Sequence, residues 1–295
     1  MLRSYWTINT VEHVREILRE YNFPLTVRQI YYRLVSKNVI PNTPSSYKML
    51  SKALVKARER GEVDDSKIED RSRQILGVGD YGFESIEEFI NDRITLLKYS
   101  YVFYTKRLWS NQPRNVIIVL EKDALSRLFV EVADRYRVHV YPTRGYSSYS
   151  YVKDIVRHIN TKDKTTIILY FGDYDPSGRD IERDLVDRLR RYGAKNFEVR
   201  RIALTREQIA QYNLPPRPED VATIEKLKRD PRAKRYGIDY ACELDALEPK
   251  TLQKIIEDAI LENIDLSKWK ETLRKIEEER EELRRRLERV RVLLE

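Results

Sequence analysis

The spacing of apolar residues in the first 60 positions is that of helices. Apolar side chains recur three or four residues apart, which places them on one face of a helix. This spacing predicts three short helices, over 10–21, from Thr26 onward, and from Ser45 or Ser46 to Arg60. Gly61 follows the third helix, and a polar stretch follows the glycine. Such an order is typical of a winged helix-turn-helix domain, although a plain three-helix bundle would give the same pattern.

From residue 113 onward the apolar residues form continuous runs instead. Asn115–Leu120 and Thr165–Phe171 are rich in β-branched residues, which indicates strands buried on both faces of a parallel sheet. Weaker strand patterns occupy 137–141 and 197–203, and helical patterns occupy 124–136, 149–160, 178–192 and 249–261. Alternating strands and helices predict an α/β fold with a parallel sheet.

The last 30 residues carry a heptad pattern that only Arg280 interrupts. Apolar residues alternate three and four positions apart at Leu273, Ile276, Leu283, Leu287, Val290 and Leu294. This is roughly three heptads of a coiled-coil seam, which either pairs with a second chain or folds back on its own domain. We therefore predict four regions: a winged-helix domain at 1–82, a helical linker at 83–112, an α/β domain at 113–265 and a heptad helix at 266–295.

Composition excludes several classes of protein. No apolar stretch among the 295 residues is long enough for a membrane span, and the N-terminus has no apolar signal core. We therefore expect a cytoplasmic, nucleoid-associated protein. A single cysteine, Cys242, excludes an internal disulfide and a Cys-based zinc cluster, and three scattered histidines argue against a His-rich metal site. Any metal would therefore be held by carboxylates, which favours Mg²⁺ or Mn²⁺. A charged fraction of 35% is typical of thermophile proteins and also of a highly charged mesophile surface.

Positive charge is concentrated at the start of the chain. The net charge is +8, and residues 1–60 hold eleven Lys or Arg against four Glu. In the third helix, basic residues recur without interleaved glutamate at Lys48, Lys52, Lys56 and Arg58. This spacing is also that of an ordinary solvated helix face, but the local excess of charge favours DNA as the partner.

Acidic residues follow both strong strand candidates. Glu121 comes directly after the first run, and Asp173 and Asp175 come directly after the second. Because active residues gather at the carboxyl ends of parallel strands, we expect the three carboxylates to converge. Without lysine partners they would repel one another, and a divalent cation would relieve this repulsion. The alternative is that the two aspartates only cap a turn, since Asp-Pro-Ser-Gly is good turn chemistry.

Two segments resemble the signature motifs of a Toprim domain. They read V-I-I-V-L-E-K-D-A-L-S-R-L and L-Y-F-G-D-Y-D-P-S-G-R-D-I, and their form is most similar to that of the topoisomerase VI A subunit and the related meiotic double-strand-break protein. The resemblance implies that Glu121, Asp173 and Asp175 bind Mg²⁺. It also implies a homodimer, and any strand passage would require a separate ATPase partner subunit. The family's G-Y-P-D-x-x-T-R stretch is altered here, at Gly145–Val152.

The N-terminal segment T-V-R-Q-I-Y-Y-R-L resembles the winged-helix motif of the same family. The match places the catalytic nucleophile at Tyr32, with Arg28 as its helper and a DNA contact. Helical geometry agrees, because Arg28 and Tyr32 stack at i and i+4 on a face next to the buried one. Tyr31 belongs to the buried face, and we expect it to be a core residue.

Three functions remain open from the sequence. The first is Mg²⁺-dependent DNA cleavage in which Tyr32 attacks the phosphodiester, with the metal and Glu121 assisting, as in a type IIB-like topoisomerase. The second is a Toprim nuclease that hydrolyses DNA with metal-activated water, in which case Tyr32 is only a DNA contact. The third is a DNA-binding module without catalysis, against which the presence of all three carboxylates argues.

Overall fold

A computed structural model of the chain describes residues 2–69, 82–217, 227 and 229–294. It is an α/β structure, 59% helical, with parallel sheets of two and four strands. Chain contacts divide it into two compact units. The first unit contains residues 1–71 and 114–263, and the second contains residues 72–113 and 264–295.

The helices and strands have the following bounds. The helices are α1 (Leu2–Arg19), α2 (Val27–Ser36), α3 (Pro44–Glu59), α4 (Ile86–Tyr99), α5 (Ser126–Ala133), α6 (Tyr149–Asn160), α7 (Pro176–Arg191), α8 (Arg206–Gln211), α9 (Pro231–Tyr236), α10 (Pro249–Leu261) and α11 (Leu266–Leu294). The strands are β1 (Leu25–Thr26), β2 (Ile68–Glu69), β3 (Asn115–Leu120), β4 (His139–Pro142), β5 (Thr166–Phe171) and β6 (Phe197–Ala203).

The three predicted N-terminal helices are present, but α1 begins at Leu2 instead of Thr10, and the cap of α3 differs from the predicted one. Thr26 begins α2 with a capping box, because its hydroxyl accepts from the backbone of Gln29 while the Gln29 side chain accepts from the backbone of Thr26. The predicted start of α3 at Ser45 or Ser46 is wrong. Thr43 caps this helix, since Pro44 suits the first helical position and needs no backbone donor.

The predicted parallel sheet is confirmed. Its strand order is β4-β3-β5-β6, and every neighbouring pair is parallel. All residues of β3 and β5 are buried, as their uninterrupted apolar sequences require. The helix predicted at 124–136 is shorter than expected, because 3-10 turns flank α5 on both sides. The central pair β3–β5 pairs Leu120 with Phe171, so the two strands end side by side.

In the second unit the heptad helix folds back on the linker. Trp269 packs edge-on against Trp109, and Ile276 is buried. Arg280, the residue that interrupts the heptads, donates from Nε to the Tyr104 carbonyl oxygen at 2.9 Å. Part of the predicted seam is therefore satisfied within the chain. Of the predicted linker helix, only α4 and a following 3-10 turn are helical.

No helix in the described ranges combines the length and the hydropathy that crossing a bilayer requires.

Candidate functional site

The candidate site lies in the first unit, where β3 and β5 end. The Glu121 N–H donates to the Phe171 carbonyl oxygen at 2.8 Å, which continues the strand pairing by one residue. The Asp173 N–H then donates to Glu121 Oε2 at 3.1 Å. The Glu121 carboxylate is thus brought against the backbone of Asp173 at the carboxyl edge of the sheet, where parallel-sheet enzymes place their active residues.

Two glycines make room for the Glu121 carboxylate. A Cβ on Gly172 would lie 2.5 Å from Glu121 Oε2. A Cβ on Gly178 would lie 2.4 Å from the Asp173 carbonyl oxygen and 3.0 Å from the same carboxylate oxygen. The distances of 2.5 Å and 2.4 Å are shorter than carbon–oxygen contacts allow. Glycine at each position is therefore a requirement of the close approach between Glu121 and the loop after β5.

Each aspartate is also engaged in structural contacts. Asp175 caps α7, since its Oδ1 accepts from the Gly178 N–H at 2.6 Å, and its Oδ2 pairs with Arg217 at 2.7 Å. Asp173 Oδ1 accepts from the Leu244 N–H at 2.8 Å. The turn-capping role that the sequence left open is therefore real for Asp175.

A lysine occupies the centre of the acidic cluster. Lys122 Nζ lies 2.7 Å from Asp245 Oδ2, 3.3 Å from Asp173 Oδ2 and 3.6 Å from Glu243 Oε2. The carboxylates are therefore not left to repel one another, because Lys122 and Arg217 both lie against them. Two of the three acids around Lys122 come from a second segment, residues 242–247, that the candidate set did not include.

The 242–247 segment connects the sheet to the N-terminal helices. Cys242 forms an antiparallel bridge with Tyr174, with backbone hydrogen bonds of 2.9 Å in both directions. Asp245 Oδ1 accepts from the Thr26 hydroxyl at 3.3 Å, and Glu243 faces α2. This segment therefore bridges the end of β5 and the start of α2.

Arg28 and Tyr32 lie on the same face of α2, as predicted, and both contact Glu243. The expectation that Tyr32 lies outside the buried face is wrong. Arg28 donates from Nη2 to Glu243 Oε1 at 2.8 Å, and its guanidinium stacks 4.3 Å from the Tyr47 ring centroid. The Tyr32 hydroxyl donates to Glu243 Oε2 at 3.2 Å. Tyr32 is only 1% exposed, and Tyr31 is fully buried, which confirms that Tyr31 is a core residue.

Burial and mutual repulsion shift the protonation of the cluster. Burial, with Asp173 and Asp175 as neighbouring charges, raises the pKa of Glu121 to about 8. Burial also raises the pKa of Asp173 and of Glu243. Burial raises the pKa of the Tyr32 hydroxyl well above its ordinary value, and the Glu243 carboxylate raises it further. Tyr32 is therefore a neutral hydrogen-bond donor in this arrangement.

The donor set suits a hard divalent cation in charge and in chemistry. The cluster contains five carboxylates, from Glu121, Asp173, Asp175, Glu243 and Asp245, and three cations contact them, Lys122, Arg28 and Arg217. The carboxylates outnumber the cations that contact them, and carboxylate oxygens are the ligands that Mg²⁺ prefers. Within the described ranges no three potential ligands are already arranged around one point. A cation would have to compete with Lys122 for Asp173 and with Arg217 for Asp175.

The first unit also contains a cavity beside the acidic cluster and a basic face on α3. The cavity, of about 700 Å³, lies beside Asp175 and is lined in part by Arg217, Arg229 and Arg232. On α3, three of the predicted DNA-binding residues are exposed, Lys48, Lys52 and Lys56. Arg58 differs, because it pairs with Asp65.

The sequence contained a signal for the missed residues. Glu243 and Asp245 are two positions apart in Cys-Glu-Leu-Asp-Ala-Leu, which is the spacing of Asp173 and Asp175. Two acids in an otherwise apolar segment need partners when the segment is buried. That signal could identify the pair as site residues, but not Lys122 as their partner.

No protein-family model matches this chain, and no curated protein matches it.

We expect Gly178→Ala to disrupt the site and Gly82→Ala to be tolerated. The new Cβ at Gly178 would meet a backbone oxygen, so the loop after β5 must move, at a cost of roughly 1–3 kcal/mol. A Cβ at Gly82 would meet nothing within 4 Å. Denaturant unfolding measures both free energies, and equal values for the two variants would contradict the close approach of Gly178 to the Asp173 carbonyl oxygen.

Glu121→Gln should change how stability depends on pH. Folded wild type keeps a proton on Glu121 up to a pKa of about 8, whereas the unfolded chain releases it near the ordinary glutamate pKa of 4.5. The Glu121 contribution to the free energy of unfolding therefore falls as pH rises from about 4.5 to about 8 and is constant above that. Glutamine cannot ionise, so the melting temperature of the variant should increasingly exceed that of wild type over this interval.

The control for this measurement is Glu131→Gln, at an exposed position on α5. Its melting temperature should follow that of wild type at every pH. A constant difference between Glu121→Gln and wild type from pH 5 to pH 9 would show that Glu121 ionises normally.

Proposed function

We propose that this chain is a Mg²⁺-dependent DNA-cleaving enzyme related to the topoisomerase VI A subunit. In this proposal, α1–α3 belong to a winged-helix DNA-binding domain, and the β4-β3-β5-β6 sheet with its helices is a Toprim domain. The observation that carries the proposal is the contact between Glu121 and Asp173 at the shared edge of β3 and β5. The two Toprim-like motifs, 52 residues apart at these acids, meet there.

The positions of basic residues support DNA as the substrate. The exposed lysines of α3 offer contacts for backbone phosphates, which supply most of the sequence-independent affinity for DNA. The cavity beside Asp175 has three arginines in its wall, and guanidinium groups bind phosphate in a bidentate manner. A strand bound there would have a phosphate next to the acidic cluster.

Glu121, Asp173 and Asp175 would hold the Mg²⁺ ion. When bound, the ion supplies charge stabilisation at the scissile phosphate and at the departing oxygen. Lys122 retains its proton, because its carboxylate neighbours outweigh the effect of burial and raise its pKa. Lys122 can then remain paired with Asp245 when Asp173 binds the metal ion.

Tyr32 is the proposed nucleophile. Attack by its oxygen forms a phosphotyrosyl bond and breaks the bond between phosphorus and the departing sugar oxygen, which takes up a proton from solvent. The Tyr32 hydroxyl proton passes to Glu243, which already accepts it in a hydrogen bond. Burial raises the pKa of Glu243, which makes it a better proton acceptor than an exposed carboxylate. Arg28 would stabilise the charge of the pentavalent phosphorus. Because Tyr32 is buried, its hydroxyl must first become accessible to a phosphate while it keeps its hydrogen bond to Glu243.

Hydrolysis by water is the second candidate, and the burial of Tyr32 favours it. A hydroxyl that is covered and hydrogen-bonded to Glu243 cannot reach a phosphate in this arrangement. Water needs no movement of α2. In that mechanism Tyr32 and Arg28 only fix Glu243 in place.

Tyr32→Phe distinguishes the two mechanisms. The substitution removes one oxygen and keeps the ring in the core. If Tyr32 is the nucleophile, the variant should lose cleavage almost completely, and wild type should leave protein covalently attached to a DNA end. The protein is incubated with supercoiled plasmid and Mg²⁺, the reaction is quenched in detergent, and the products are analysed with and without proteinase digestion.

The control is Tyr31→Phe, which should retain cleavage because Tyr31 contacts Asn42 rather than the acidic cluster. If Tyr32→Phe retains activity within about tenfold, or about 1.4 kcal/mol, and the products carry free ends, water is the nucleophile. Absence of cleavage by wild type under all these conditions would contradict the proposed function.

Replacing Lys48, Lys52 and Lys56 with glutamate should weaken binding to all DNA sequences alike. Loss of three phosphate contacts should reduce the slope of log affinity against log salt by about 3 at most. Fluorescence anisotropy over a range of salt concentrations measures this slope. A charge-matched control replaces the exposed Lys195, Lys250 and Lys254, and its slope should equal that of wild type. Equal slopes for both triple variants would place the DNA elsewhere.

A further inference from the structure

Two of the three histidines of the chain meet at the edge of the four-stranded sheet. His139 begins β4, which is an edge strand, and His158 lies in the last turn of α6. Their ring centroids are 4.8 Å apart, and the ring planes are nearly perpendicular, at 82°. His139 is exposed and His158 is half-buried. The proposed DNA-cleavage mechanism uses neither of them.

The periods of the strand and the helix explain why the two rings meet. Alternate residues of a strand lie on one face of a sheet, so His139 and Tyr141 share a face of β4. Their partners in β3, Ile117 and Val119, belong to the core against which α6 packs. His158 on α6 therefore lies over the same face, and its Nδ1 is 2.7 Å from the Tyr141 hydroxyl oxygen.

The separation of the rings fits two ligands of one metal ion. A bond between Zn²⁺ and nitrogen is about 2.0–2.1 Å long, and the nitrogen lies about 1.15 Å from the centre of its ring. Two imidazoles that meet at one ion with an angle of about 90–110° then have ring centres about 4.5–5.2 Å apart. The observed 4.8 Å falls within this range. Because His139 is exposed, its ring can turn toward such an ion within nanoseconds.

The surroundings of His158 keep it in the state that a metal ion requires. Burial, followed by the neighbouring charges of His139 and Lys162, lowers the pKa of His158 to about 4, so this imidazole is neutral at pH 7. When Nδ1 carries the proton, it donates to the Tyr141 oxygen and leaves the Nε2 lone pair for an ion. Histidine ligands in proteins are usually oriented by a hydrogen bond of this kind.

We propose that His139 and His158 bind a divalent transition-metal ion, Zn²⁺ in particular, which ties the edge strand β4 to α6. Imidazole nitrogen is a good ligand for Zn²⁺, whereas Mg²⁺ prefers oxygen. His139 pairs with Ile117, near the start of β3, so the site lies at the opposite end of the sheet from the acidic cluster. This inference is independent of the proposed function.

Charged side chains of both signs lie near the histidine pair. Asp154 lies one helical turn before His158 on α6, so its carboxylate is placed to reach the same ion in exchange for its present partner, Arg157. Water would complete a tetrahedral set of ligands. Lys162 acts on His158 as a neighbouring positive charge and lowers the affinity for a cation. The site is therefore weaker than a structural zinc site with four protein ligands.

Zinc binding by histidine variants tests the proposal. Calorimetric titration with Zn²⁺ at pH 7 should show a site that His139→Gln weakens by about tenfold or more, since a lost ligand should cost at least as much as a lost outer partner. The exposed position of His139 means that this variant should fold. The matched control is His13→Gln on α1, which should bind Zn²⁺ as wild type does. Zn²⁺ should also raise the melting temperature of wild type and of His13→Gln, but not that of His139→Gln.

A second pair of variants tests the orientation of His158. Tyr141→Phe removes the hydroxyl that contacts Nδ1 and should weaken Zn²⁺ binding about tenfold. Tyr151→Phe changes the ring that packs against Tyr141, 6.2 Å away between centroids, and should bind Zn²⁺ normally. Absence of Zn²⁺ binding by wild type would overturn the proposal. Equal Zn²⁺ affinities of wild type and His139→Gln would also overturn it, because the ion would then lie elsewhere.

Discussion

The contact of Lys122 with three carboxylates is the interaction on which the first unit depends. Asp173, Glu243 and Asp245 are all buried, and a buried carboxylate without a cationic partner would cost several kcal/mol. Removing one member of such a group typically costs about 3–5 kcal/mol, because the others remain charged and buried. The three acids come from the end of β5 and from the 242–247 segment, so one ammonium group fixes these two parts of the chain together.

The same interaction determines what the site can do. Glu243 lies beside Lys122 and also binds Arg28 and Tyr32 of α2. Lys122 is therefore connected to α2 through Glu243. In the proposed function, a divalent cation would compete with Lys122 for Asp173 and weaken this connection. Metal binding and exposure of Tyr32 would then be linked, which would keep the nucleophile covered until the metal is present.

Features with a local cause could be predicted from the sequence, and features with a long-range cause could not. The apolar runs at β3 and β5 predicted the buried strands, and helical spacing predicted that Arg28 and Tyr32 share a face. Local spacing does not identify the cap of α3, because several neighbouring residues carry a hydroxyl that could cap it. The proline after Thr43 makes Thr43 the cap, since proline suits the first helical position. Lys122 and Glu243 are 121 positions apart, and no local pattern in either segment indicates their contact. The packing of α11 against the linker could not be predicted for the same reason, because the heptad pattern suits a second chain as well as it suits the linker.

Asp173→Asn tests the central claim, that the carboxylates at the edge of β3 and β5 are the catalyst. The substitution keeps the size of the side chain and removes the charge. With Mg²⁺ and supercoiled plasmid, the account predicts that cleavage is lost while DNA affinity stays within about 1 kcal/mol of wild type, because the basic α3 face supplies the affinity. Asp163→Asn, at an exposed loop position, should cleave normally. Cleavage by Asp173→Asn at the wild-type rate would contradict the account.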